Sequence, residues 1–564
     1  MNWLRRLIAA IGLVVLVAVA WVWWNHPTQT DLAQYAPADS LAYLEANDIL
    51  GTANGITSTD AWRQFAPLLR LEHRWDRSWV TRFIRWTGIG PIRTVVASRA
   101  QVALVMLNLG TTEEGETLKV KPDAAILIET HTASWRIRPA AESALSEVAR
   151  SIYGNPSFSK STANGMEFLT WRDAAGSRQI IATIDDTLII IGNTELAVAT
   201  CLLVRRGQRP SLIGDPQLQL MRRKMNASQA LAFGYVSAGN AAKIAAFAVP
   251  LLLGREPNGV NVERIVTTVS AKLLGSIGWS ASLSNGLIED RYLFSLQPTV
   301  VNRLQPHFNP AILDPESFNR IFDENYSATI YRFHSPLDAW TEVQSAVLAQ
   351  LNALSAVLFR SLSRAALRNN LIEDPERFLA LVGPPLITLR LSSTSERSVL
   401  VAKVRDRAAL RKMLSNHFHE KTKTNVQGGG EILDGDDDET SAVFYQDYFL
   451  IGPSFDVRIC AENLLKVPKN PMDQSSAFTP ANSSSVIVTY TDDRERIHAF
   501  LRALLRASSN SATAPQAVEQ VISTTDSSYS ITETTLINEG FERRTRSAFG
   551  QFSTLAVLIF PEGR

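Results

Sequence analysis

Apolar and polar positions along Arg178 to Leu203 (RQIIATIDDTLIIIGNTELAVATCLL) predict two buried strands around a polar turn at Asp185-Asp186, followed by a helix that begins just after Gly192. The same pattern returns at Ser441 to Leu465 (SAVFYQDYFLIGPSFDVRICAENLL), with its turn at Gln446-Asp447 and its closing glycine at Gly452. Further matches keep the same order: Tyr43 with Tyr331, Trp62 with Trp340, Gly90 with Gly383, Tyr235 with Tyr490, and Gly286 with Gly540. Shared order over most of the chain predicts a duplicated unit.

Each unit reads as a strand, one or two helices, and a strand pair around Ala103 to Thr130 or Leu386 to Val404. A helix follows (Ser134 to Ile152; Asp406 to His419), then three strands on short turns and further helices. A strand (Ala230 to Ser237; Ser485 to Thr491), a helix (Ala241 to Leu253; Arg494 to Arg506) and a long hairpin close the unit. Asn285-Gly286 is a strong type I′ turn signal, because both residues take positive φ readily, and Glu539-Gly540 marks the matching turn. Strands and helices do not alternate singly, so the expected fold class is α+β: an N-terminal transmembrane helix, then two homologous domains of mainly antiparallel sheet flanked by helices.

The membrane segment is expected from the uncharged run Leu7 to Trp24, whose 18 residues approach the length of a bilayer-spanning helix. Arg5 and Arg6 before it, and Trp21, Trp23 and Trp24 at its far end, orient it with the bulk of the chain on the periplasmic or extracellular side of the cytoplasmic membrane. Ala18-Val19-Ala20 also fits a signal-peptide cleavage site, which exports the body equally. The expected organisation is an anchor or signal peptide at 1–25, a tether at 26–36, a first repeat at 37–300, a linker at 301–326 and a second repeat at 327–564.

Composition narrows function mainly by exclusion. Fifty-six basic residues against 55 acidic ones, in no long run of one sign, argue against a nucleic-acid partner. Cys201 and Cys460 hold the same place in the two units, which favours two separate core residues over a disulfide between domains. No catalytic residue and no cofactor signature stands out. Gly428-Gly429-Gly430 lacks the following Lys-Ser/Thr of a phosphate loop, and Gly275-Ser276-Ile277-Gly278 has the wrong spacing for a nucleophile elbow.

The one weak metal candidate is calcium at Asp434, Asp436 and Asp438, where alternating carboxylates offer hard oxygens. Glu439 and Tyr445 stand where an EF-hand loop needs Gly and a bidentate Glu, so a solvated acidic turn is the simpler expectation. His417 and His419, two apart on an expected helix, would point away from each other. The basic amphipathic helix Arg494 to Arg506 reads as one that lies on a membrane or a neighbouring domain.

The run Ala36-Pro37-Ala38-Asp39-Ser40-Leu41-Ala42-Tyr43-Leu44, with the pattern Ile277 to Gly286, resembles a bacterial family of exported, membrane-anchored proteins of unknown function. The resemblance implies no activity and no site residues. The expected role is non-enzymatic binding or scaffolding outside the cytoplasmic membrane. Expected partners are the membrane through residues 7–24 and an envelope protein or lipid. The alternative is an envelope hydrolase or a lipid-like ligand carrier with an internal pocket.

Overall fold

The computed structural model describes residues 29–68, 100–114, 117–132, 134–163, 165–253, 259–312, 326–365, 367–395, 397–419, 430–437, 439–465, 483–507 and 529–559. Helices and antiparallel ladders are mixed along the chain, as in an α+β fold. The expected span 7–24 lies outside the described residues, among which no helix is long and apolar enough to cross a membrane. Contacts divide the chain into two compact units, Met1–Ala53 with His73–Pro216, and Asn54–Glu72 with Gln217–Arg564. This division falls within the expected first repeat.

The first unit is built on β1 (Ala42–Ala46), β2 (Gln101–Glu114), β3 (Thr117–Glu129), β4 (Ser157–Ala163), β5 (Met166–Arg172), β6 (Gln179–Asp185) and β7 (Leu188–Gly192). They pair in the order β1-β2-β3-β7-β6-β5-β4. Strands of near-continuous apolar sequence demand cover on both faces, and two helices supply it. Ile137, Ala141 and Ala149 of the helix Ser134–Tyr153 pack on Leu169, Trp171, Ala182, Ile184 and Ile189. The helix Glu195–Arg205 lies over Gly192, where an added Cβ would meet the Val198 side chain at 2.8 Å. Thr194 caps that helix by accepting from the Ala197 amide, so Thr194→Ala is expected to lower its stability by about 1 kcal/mol in urea unfolding.

The second unit contains β8 (Ala232–Val236), β9 (Leu274–Ser284), β10 (Leu287–Leu296), β11 (Ser327–Tyr331), β12 (Val382–Arg390), β13 (Val399–Val404), β14 (Phe418–His419), β15 (Glu431–Gly435), β16 (Thr440–Tyr445), β17 (Tyr448–Pro453), β18 (Ile487–Asp492), β19 (Tyr529–Ile537) and β20 (Gly540–Ser547). Their order is β8-β9-β10-β20-β19-β18-β11-β12-β13-β17-β16-β15-β14. The ladder β12-β13-β17-β16-β15-β14 repeats the succession β2-β3-β7-β6-β5-β4 strand for strand, with four strands where three are expected. One face carries Val457, Cys460 and Ala461 of the helix Ser454–Leu465 against Ala328, Ile330, Val401 and Val488. The other carries Phe378, Leu410 and Leu414 against Leu400, Phe444 and Phe449.

The closing hairpins meet through β10 and β20, in a register running from Ile288↔Ser547 to Ser295↔Gly540. Arg291 bonds Glu542 across this seam, and Arg544 pairs with the same carboxylate at 3.0 Å. Asn285 and Gly286 both take positive φ, as a type I′ turn requires. The second hairpin differs from expectation: Ile537 pairs with Gly540, so Asn538 and Glu539 form the turn and Gly540 opens β20.

Several expected boundaries shift for reasons visible in the packing. The tether 26–36 is partly docked, with Leu32, Ala33 and Ala36 fully buried. In the expected linker 301–326, Val301, Leu304 and Phe308 are buried, since the helix Pro298–Leu304 supplies a core surface. The helix expected over 406–419 ends at Leu414, because Phe418 and His419 pair with β15. The helix Arg494–Ala507 is amphipathic as read, yet buries Ile497, Phe500 and Leu501, with the Phe500 ring tilted against Phe549 at 4.4 Å between centres. Its apolar face is therefore occupied within its own unit. The apolar helix Ala238–Leu253 buries Ala241, Ala242 and Ala246. Cys201 and Cys460 are free, buried thiols in separate units, each pushed up to about 12 by burial.

Candidate functional site

A buried polar cluster of the first unit lies at one end of β2 and β3. Period-two alternation puts Gln101, Ala103 and Val105 on one face of β2 and Ala125, Leu127 and Glu129 on the same face of β3, with Gln101 directly opposite Glu129. A carboxylate and an amide thus sit at the end of an otherwise apolar surface, each 2% exposed. Burial on that scale requires partners.

Gln101 makes four contacts. Its Oε1 accepts from the Thr30 amide at 2.8 Å and lies 3.0 Å from His131 Nε2, while its Nε2 donates to the Thr30 carbonyl at 2.9 Å and to Asn47 Oδ1 at 3.1 Å. The side-chain amide holds Thr30 as a neighbouring strand would. Glu129 commits both oxygens, one to the His131 amide at 3.0 Å and one to the Tyr35 hydroxyl at 3.3 Å. His131 adopts φ 51°, which turns the chain back over the carboxylate.

Arg205, from the helix on this face, stands 5.0 Å from the Tyr35 ring centre and reaches Asp185 at 3.6 Å. Burial, then the adjacent Glu129 charge, raises the Tyr35 phenol above its ordinary range. Tyr43 donates to Glu45 at 2.7 Å on the same face of β1. Every polar group of this cluster is turned on its own chain, and the segment it secures is Thr30 to Tyr35, immediately after the expected membrane segment and signal site. Sequence reading missed these residues because no local motif marks them. The available signal was parity: Glu129 follows Ala125 and Leu127 at a spacing that forces it inward.

The acidic turn expected as a weak calcium site is engaged by protein donors. Asp434 accepts from Ser441 Oγ at 2.8 Å and lies 3.5 Å from Arg458. Asp436 lies 2.8 Å from His419 Nε2 and 3.7 Å from His417 Nδ1, and His417 also meets Glu373 at 3.2 Å. Strand pairing, rather than a helix, brings both histidines to Asp436. Asp438 lies outside the described residues. Among those described, no group of three or more His, Cys, Asp or Glu side chains is placed to hold a metal ion.

A second buried carboxylate, Asp290, sits on the β10 face opposite Arg291. Its oxygens accept from Trp279 Nε1 and from the Gln551 amide, both at 2.9 Å. It thereby caps the helix Gln551–Ile559 from within the sheet. Burial pushes its carboxyl up to about 6 despite those two donors. With the folded value above the unfolded one, Asp290 stabilises the fold in its protonated form. This contribution is full below about pH 4 and is lost as pH rises through 6. Asp290→Asn is expected to remove that slope: the difference in unfolding free energy between parent and variant changes by at most about 1.4 kcal/mol per pH unit inside the window, and levels off above it. Urea titrations at a series of pH values measure it.

Comparison of the chain with protein-family models, curated proteins and solved structures gives no match.

Proposed function

We propose that the chain is a single-pass protein of the bacterial cell envelope. Residues 7–24 hold it in the cytoplasmic membrane, and two homologous α+β repeats outside serve a non-enzymatic binding or scaffolding role. The observation that carries this reading is the clasp of Gln101 on Thr30, only six residues beyond Trp24. A chain leaving a bilayer and docked so soon has little free tether, so the folded body stays close to the lipid surface. The conserved ladder order of β2–β7 and β12–β17 supports a duplication. Glu129, Gln101 and Asp290 are spent on the fold itself, which supports a binding role over catalysis.

Cross-linking of the full-length protein in its native membrane, followed by identification of the adducts and lipids recovered, tests the reading. A single envelope protein cross-linked in comparable amount supports scaffolding. A co-purified lipid or glycan that is turned over by the purified protein contradicts it.

A further inference from the structure

The helix Ala353–Ala365 of the second unit leaves two large apolar side chains in water. Leu354 is 65% exposed and Val357 58%, one helical turn apart. Arg360 and Arg364 follow on the adjoining stripe, and Arg368 in the short turn Arg368–Asn370 extends it; all three are exposed. None of these arginines forms an ion pair with another described residue. No acidic residue occurs anywhere from Ala349 to Ile372.

We propose that this helix is a docking face for an anionic lipid surface. Leu354 and Val357 enter the boundary between headgroups and acyl chains, while Arg360, Arg364 and Arg368 extend to lipid phosphates. Charge decides the occupant. An acid-free stretch whose three guanidiniums pair with no other described residue is complementary to a negative surface, and the neighbouring apolar side chains gain burial only where that surface has an apolar layer beneath it. By contrast, the basic helix Arg494–Ala507 has its apolar face covered, and Arg494 and Arg496 pair with Asp492 and Asp493. The proposal goes beyond the envelope role and rests on the helix alone. Attachment of the chain elsewhere to the same bilayer would strengthen it through effective concentration.

Full-length protein carrying Val357→Cys, labelled with an environment-sensitive dye, is mixed with vesicles of phosphatidylcholine alone or with added phosphatidylglycerol; the native Cys201 and Cys460 are buried. Blue-shifted emission, quenched by spin-labelled lipid and confined to the anionic vesicles, is expected. Arg360→Gln with Arg364→Gln is expected to weaken dye partition roughly twenty-five-fold, at about 1 kcal/mol for each charge near the surface. An unchanged urea midpoint shows that the double variant is folded. Dye that stays unquenched in both vesicle types, or is equally quenched in both, overturns the proposal. Flotation of the same samples separates this from the anchor: protein that floats with unquenched dye sinks the docking face alone, whereas protein that fails to float with either vesicle sinks both.

Discussion

Gly540→Ala is expected to destabilise the second unit by about 4 kcal/mol or more, and to lower its urea midpoint more than any surface change. Gly540 opens β20 at φ 140°, a backbone conformation that L side chains rarely adopt. An added Cβ would stand 2.1 Å from the Phe294 carbonyl oxygen and 2.8 Å from the Leu296 amide nitrogen. Both are main-chain atoms of β10, so no side chain can swing away. Relief would require separating β10 from β20, the seam where Arg291 meets Glu542 beneath the sheet surface. Once that pair is pulled apart, the buried Glu542 keeps only Arg544 of its two arginine partners, which adds to the cost. Gly286→Ala is a useful contrast, because the atoms nearest its added Cβ belong to the movable Asp60 side chain. A smaller loss is expected there.

Gln101→Leu keeps the volume of the side chain and removes all its hydrogen bonds, with an expected cost of roughly 3 kcal/mol in the first unit. The Thr30 amide and carbonyl and Asn47 Oδ1 all lose their partner on this side chain. The functional consequence is local. Leu32 and Ala33 are buried only while the segment stays docked, so protease cleavage near Thr30 should appear in the variant under conditions that leave the parent intact. Gln101→Glu distinguishes packing from hydrogen bonding, since it retains the Oε1 acceptor but loses the Nε2 donor to the Thr30 carbonyl.

The elements that sequence pattern locates well are those whose periodicity is set by burial on two faces. Leu188 to Gly192 and Tyr448 to Pro453 are near-continuous apolar runs, and both are central strands. The type I′ turn at Asn285-Gly286 is legible because positive φ at two successive positions selects those residue types. Boundaries were less legible where tertiary pairing overrides local preference. His417 to His419 continues a helical pattern, yet Phe418 is drawn into a core and pairs with Gly435. Residues 301–326 read as a linker, yet Val301 is buried and Leu304 packs with Val300 and Phe308.

The polar cluster was hidden for a different reason. Thr30, Gln101 and Glu129 are distant in sequence, and only the β2·β3 register brings the last two opposite each other. Asp434 and Asp436 attract notice as neighbours in sequence, but their oxygens are taken by Ser441, Arg458 and His419. Proximity along the chain is a poor guide to shared chemistry in a sheet, where successive residues face opposite sides.

Protease added to the outside of intact spheroplasts tests most directly that the body is held on the outer side of the cytoplasmic membrane. The account predicts that the folded repeats are degraded from outside after mild destabilisation, while a short fragment containing residues 7–24 stays with the membrane. A body protected until the membrane is permeabilised would contradict it.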